Sequence, residues 1–257
     1  MTHPWFSGVA APRVLAHRGF VPADAEGVAE NSVAALAAAR AAGTVYLESD
    51  CHLTADGTVV LFHDDDLVRV AGDPRRVSEV STRELTEIMS TRGGLATLSD
   101  ALDAFPDARF NLDVKASPAA ASVGLLVARE SHRVLVTSFS DARRAEALAS
   151  ARSKGGDPAT SAGMGTLLRL LAAARSGLRR TASRLVADVD ALQVPERYRG
   201  LRVVTPRLID IAHSAGVEVH VWTVNDAADM RRLLALGVDG IVSDRADVAL
   251  AVAAGRV

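Results

Sequence analysis

Short apolar runs alternate with longer alanine-rich stretches along this chain, in the same order throughout. Each short run gives way to a polar loop, and the longer stretches carry helical spacing. The runs predict strands at Arg13–Ala16, Val45–Asp50, Arg109–Val114, Val134–Ser138, Ala159–Ala162, Ala191–Val194, Val217–Val224 and Gly240–Ser243. Between them, Asn31-Ser32 caps a helix over Val33–Ala42 that ends at Gly43, and Asp226–Ala235 ends at Gly237. Thr58–His63 is also extended, but only the Asp56-Gly57 turn separates it from the second strand. A parallel partner needs a crossover of about a dozen residues, so this stretch is the return arm of a hairpin. Pro74–Leu98 fits the alternation poorly and reads as an irregular loop with one short helix near Thr82–Met89.

Eight strand–helix units predict one (β/α)8 TIM barrel over residues 1–257, with a β-hairpin excursion after strand 2. In such a barrel the chemistry sits at or just beyond the C-terminal strand ends. His17-Arg18, Glu48 and Asp50, Asp113 and Lys115, Ser138, Trp222 and Asn225, and Ser243-Asp244 all fall there.

Composition narrows the class. Apolar residues make up 49% of the 257, enough for a large core, and much of that is alanine. The longest uncharged stretch, Ala116–Ala128, contains serine and proline and is too short for a spanning helix of about 20 residues, so no transmembrane segment is expected. The N-terminus lacks the pattern of a signal peptide, and Cys51 stands alone, which fits a reducing cytoplasm. A net charge of −2 gives no pull toward nucleic acid.

Glu48 and Asp50 lie two residues apart on one strand and share a face. If Ala55 pairs with Thr58 across a two-residue turn, Asp50 stands opposite His63 and the three side chains converge. With Asp113 they form an all-oxygen set suited to Mg²⁺ or Ca²⁺; the alternative is that they only neutralise Arg18 and Lys115. His17 and His63 are candidates for an acid–base pair, Arg18 and Lys115 for binding a phosphate, and Trp222 for the floor of a small pocket. His52, His213 and His220 read as structural, and His3 and His132 as peripheral. Thr166–Leu185 carries Arg169, Arg175, Arg179, Arg180 and Arg184 with no acid, and reads as one outer helix with a solvated basic face. The alternative there is a peripheral contact with anionic lipid headgroups.

These motifs, in order, resemble those of the glycerophosphodiester phosphodiesterase family. The residues concerned are His17-Arg18-Gly19, Glu30-Asn31, Glu48-x-Asp50, Thr54–Gly57, His63-Asp64, Asp113-x-Lys115, Ser138-Phe139, Val221–Asn225 and Gly237–Asp244. The resemblance implies a barrel of the phospholipase-C-like phosphodiesterase type that hydrolyses glycerophosphodiesters to sn-glycerol 3-phosphate and an alcohol with a divalent cation. It makes His17 and His63 the acid–base pair, Glu48, Asp50 and Asp113 the metal ligands, and Arg18 and Lys115 the phosphate grip. Departures are Asp113 where the family usually has Glu, Ala29 before Glu30 where Pro is common, and Asp244-Arg245-Ala246 without the usual proline. The insertion Asp66–Leu98 is short, which implies a reduced glycerol-recognition insert. The rival readings are a lysophospholipase D or sphingomyelinase D-like enzyme acting on lipid, and a non-catalytic barrel that binds phosphorylated metabolites.

Overall fold

In the computed structural model, which describes residues 3–256, all eight predicted runs form strands. They are β1 (Arg13–His17), β2 (Tyr46–Leu53), β3 (Arg109–Val114), β4 (Val134–Thr137), β5 (Ala159–Thr160), β6 (Ala191–Pro195), β7 (Glu218–Trp222) and β8 (Gly240–Ser243). Their order in the sheet is β5-β4-β3-β2-β1-β8-β7-β6, with every neighbouring pair parallel. An isolated parallel bridge from Ser161 to Ala191 brings the two edges together and nearly closes the barrel.

The two-residue period of the strands sorts their side chains. Leu15, Tyr46, Leu135, Ala159, Ala191 and Val242 point inward and pack with Trp5 and Phe6, which close the N-terminal end. The residues between them, such as Ala16, Leu47, Phe110 and Leu112, pack outward against the helices. Inside the same end, Arg13 Nε and Nη2 each donate to the Glu218 carboxylate at 2.6 Å, and Arg13 Nη1 donates to the Tyr46 hydroxyl at 2.7 Å. Burial pushes the Glu218 pKa up, but the hydrogen bonds to His220 and Arg13 outweigh it and hold the acid at about 2.

Two expectations are corrected. The hairpin loop has three residues, not two: the return arm Val59–Leu61 sets Leu61 opposite Cys51 and Val59 opposite Leu53. Thr54 Oγ1 accepts from the Thr58 amide at 3.0 Å and donates to Asp56 Oδ1 at 2.6 Å, and Gly57 completes the loop at φ +82°. An Asp-Gly pair suits either loop length, and these threonine contacts select the longer one. The register therefore shifts by one, and Asp50 faces Phe62, whose amide donates to its carbonyl at 2.9 Å. His63 lies beyond the ladder, with its carbonyl 3.2 Å from His52 Nε2.

The arginine-rich stretch is two helices, Met164–Arg175 and Arg179–Leu185. The first ends in a Schellman turn, with the Leu178 amide donating to Ala173 O at 2.9 Å and the Gly177 amide to Ala174 O at 3.3 Å. Leu178, placed on the apolar stripe by its spacing, is exposed as a result. The short helix Thr82–Met89 forms where predicted, capped by Ser81. Among the described residues no helix is long and apolar enough to cross a membrane.

Arg13→Met leaves Glu218 inside the barrel without its bidentate partner. The expected loss of stability is about 3 kcal/mol at neutral pH, read from urea unfolding. Because the folded pKa of Glu218 lies below its ordinary 4.5, the pair contributes fully above that value and loses its contribution as pH falls toward about 2. The gap between wild type and variant should narrow over that window. A gap that does not change with pH would show that the pair is not its source.

Candidate active site

At the C-terminal end of the barrel a cavity of about 160 Å³ is lined by all eight residues singled out in the sequence: His17, Arg18, Glu48, Asp50, His63, Asp113, Lys115 and Trp222. Strand register explains most of this. His17 on β1 is level with Glu48 on β2, and Asp50 is level with Asp113 on β3, so alternation turns all four inward together. After β1 the chain turns sharply at Arg18 (φ +58°) and Gly19 (φ +81°). A Cβ on Gly19 would stand 2.7 Å from the backbone carbon of Ala35, so no larger residue fits the turn. The turn aims the Arg18 amide at Glu48 Oε2, 3.0 Å away.

The acids share few counter-charges. Lys115 Nζ lies 3.0 Å from Asp50 Oδ1 and 2.7 Å from Asp113 Oδ2. Asn31 Nδ2 donates to Asp50 Oδ2 at 3.1 Å, and Arg18 Nε lies 3.4 Å from the same oxygen. Asp113 Oδ1 and Arg18 Nε are buried with no hydrogen-bond partner among the described residues. Burial, and then the neighbouring Asp50, push Glu48 up to about 8. Burial also raises Asp113, against the pull of Lys115. The carboxylates are thus short of positive charge, and an orphaned carboxylate oxygen points the same way. That donor set fits a hard divalent cation. Among the described residues no three side chains are gathered at ligand distance around one point, and Lys115 bridges two of the acids.

Each histidine is held by an aspartate. His17 Nδ1 lies 2.6 Å from Asp244 Oδ1, and Asn225 Nδ2 donates to Asp244 Oδ2 at 2.7 Å. Burial opposes protonation of His17, but the Asp244 hydrogen bond and the Glu48 charge outweigh it and raise the pKa. His63 Nδ1 lies 2.6 Å from Asp64 Oδ1. Asp64 in turn accepts from Arg69 Nε at 2.6 Å, Arg69 reaches Glu30 at 2.6 Å, and Glu30 accepts from Arg18 at 2.8 Å. Sequence reasoning did not assign these partners. Asp64 adjoins its histidine and was readable, whereas Asp244 lies 227 positions from His17 and only the pairing of β1 with β8 brings them together. Part of the remaining wall is apolar: Trp222 and Phe139 meet edge to face at 5.6 Å, and Lys115 Nζ lies 5.4 Å from the Phe139 ring centre.

Comparison with known proteins shows the chain's family and fold. The sequence profile of the Glycerophosphoryl diester phosphodiesterase family matches residues 17–248. The chain is 38% identical over 237 residues to a probable glycerophosphodiester phosphodiesterase 2 of Mycobacterium tuberculosis, covering 91% of this chain and 88% of that one. In fold it resembles a putative glycerophosphoryl diester phosphodiesterase from Silicibacter pomeroyi, with TM-score 0.74, 23% identity and 98% of both chains covered. It also resembles an Oleispira antarctica phosphodiesterase solved with the product sn-glycerol-3-phosphate, with TM-score 0.70, 22% identity, and 94% and 96% covered. On its sequence, the chain belongs to the glycerophosphoryl diester phosphodiesterase family.

Proposed function

We propose that this enzyme hydrolyses glycerophosphodiesters to sn-glycerol 3-phosphate and an alcohol, using His17 and His63 as its acid–base pair and a divalent cation held by Glu48, Asp50 and Asp113. One observation supports this most. Two imidazoles, each tied through Nδ1 to an aspartate, line the same cavity as an arginine, a lysine and three under-neutralised acids. A phosphodiester is an anion that repels nucleophiles, so positive charge has to meet it first. Arg18 Nε, which has no hydrogen-bond partner among the described residues, and Lys115 are the donors for its non-bridging oxygens. A bound divalent ion would supply further neutralisation of those oxygens.

The aspartate on each Nδ1 fixes the ring and leaves Nε2 for proton transfer. In this reading His17 Nε2 takes a proton from the attacking water as its oxygen bonds to phosphorus. His63 Nε2 delivers one to the alkoxide as the old P–O bond breaks. Asp244 supports the first role, because an adjacent carboxylate steadies the imidazolium that results. A lysophospholipase D reading is less well supported: the 38% relative is a glycerophosphodiester phosphodiesterase, and exposed Leu168 and Leu178 lie outside the cavity lining.

His17→Ala and His63→Ala are expected to lower turnover on glycerophosphocholine by roughly 10²–10⁴-fold while thermal unfolding stays near wild type. A folded His63→Ala enzyme with normal turnover would remove it from the pair. Exhaustive chelation should abolish activity, with Mg²⁺ or Ca²⁺ restoring it better than Zn²⁺. Full activity in metal-free enzyme would make the three acids partners of Lys115 and Arg18 alone. Asp113→Glu lengthens the family's variant position by one methylene and should shift the metal titration while keeping some activity. Superimposable titrations of variant and wild type would take Asp113 out of the metal site.

A further inference from the structure

Below the acids, the barrel interior holds a second polar chain that the reaction above does not use. Arg13 donates to both Glu218 oxygens, and Glu218 Oε2 lies 3.0 Å from His220 Nε2. His220 Nδ1 lies 3.3 Å from Gln193 Nε2, which also donates to Asn111 Oδ1 at 2.7 Å. His220 has no exposed surface, and its ring lies where a Cβ on Gly240 would stand, 2.7 Å from Cδ2. Gln193 and Asn111, at the upper end of the chain, line the active-site cavity.

The donor and acceptor count along this chain determines what faces the cavity. Glu218 only accepts, so His220 Nε2 is the donor, and in a neutral ring Nδ1 is the acceptor. The Gln193 amide therefore directs both protons inward, to His220 and to Asn111. Gln193 Oε1 and Asn111 Nδ2 remain, with no protein partner among the described residues. One acceptor and one donor stand together on the cavity floor. With both ring nitrogens of His220 protonated, both amides turn over, which exchanges the two roles and still leaves one of each.

A phosphate oxygen only accepts, and a quaternary ammonium does neither. A hydroxyl donates once and accepts, which matches the pair. Resting on the glycerophosphodiester reading, we propose that Asn111 and Gln193 form a hydroxyl-reading subsite for the glycerol moiety. His220 and Glu218 are positioning residues that fix the Gln193 amide. The floor carries no formal charge, so it does not compete with Arg18 and Lys115 for the phosphate.

Calorimetric titration of sn-glycerol 3-phosphate and of methyl phosphate, with Mg²⁺ present, tests this. Methyl phosphate keeps the anion and lacks the hydroxyls. Wild type should bind sn-glycerol 3-phosphate more tightly, and Gln193→Met should erase roughly a tenfold preference while methyl phosphate binding stays unchanged. Asn111→Ala, a smaller change, should give the same selective loss if Gln193→Met does not fold. Hydrolysis of bis(p-nitrophenyl) phosphate, a diester without hydroxyls, should fall less than hydrolysis of glycerophosphocholine in either variant. Retained preference in the folded variants, equal loss for both ligands, or a wild type without preference would each overturn the subsite. Wild-type enzyme that prefers sn-glycerol 3-phosphate but does not hydrolyse glycerophosphodiesters would instead refute the functional reading and leave the subsite standing.

Discussion

Three carboxylates buried within one barrel mouth set the terms for the residues around them. Glu48, Asp50 and Asp113 are all nearly inaccessible, and register brings them to adjacent levels of neighbouring strands. Removing such charges from water carries a penalty of several kcal/mol per ion, so partners must gather. Lys115 comes from just past β3, Arg18 from the turn after β1, and Asn31 from the start of the first helix. Asn31 stands at φ +58° to bring its amide to Asp50, with Ser49 donating to its other end at 2.6 Å. The tight His17-Arg18-Gly19 turn serves the same purpose, since it turns a backbone amide toward Glu48.

The two ends of the barrel treat a buried glutamate in opposite ways. Glu218 receives a full guanidinium fork and an imidazole, and its acid is held at about 2. Glu48 receives one backbone amide and a histidine nitrogen 4.0 Å away, and burial with Asp50 drives it up to about 8. The residue type is the same, but Glu48 is the more deeply buried and has the fewer partners, and both differences push in the same direction. The N-terminal end is satisfied and stabilising. The C-terminal end is left short of positive charge, the condition under which a cation or an anionic substrate bringing its own counter-ion becomes favourable. Stability and chemistry are thus separated along the barrel axis by a few residues per strand.

The sequence made the barrel legible because eight apolar runs carry it redundantly and each strand's alternation settles its own inward face. Six of the eight cavity-lining candidates were legible as polar residues at or just past strand ends and Trp222 as the end of β7, whereas His63 was reached through a hairpin pairing that the structure shifts by one residue. What escaped it depended on contacts between distant or competing groups. The hairpin register turned on Thr54, whose hydroxyl chooses three loop residues over two. The break after Arg175 was hidden because Leu178 and Ala182 continue a helical spacing across a Schellman turn. His220 was read as structural, and its contacts with Glu218 and Gln193 are of that kind, but nothing local showed that the chain ends on the cavity floor.

The two histidines stand on different mechanical footing. His17 closes β1, level with Glu48, and its aspartate follows β8, the strand paired with β1. Its position is therefore fixed by the barrel's own hydrogen bonds. His63 lies beyond the end of the hairpin ladder and is held by side chains: His52 at its carbonyl, then Asp64, Arg69 and Glu30 in series. That series ends on Arg18, a proposed phosphate donor, so the ring that would protonate the leaving group and the guanidinium that would meet the phosphate share Glu30 as a common anchor. Both arginines bond the same oxygen of Glu30, so the contacts that hold Arg18 and those that hold His63 meet at one carboxylate. In the proposed reaction a base fixed on the barrel and an acid tethered by side chains would suit a chemistry in which only the leaving side differs from one substrate to the next.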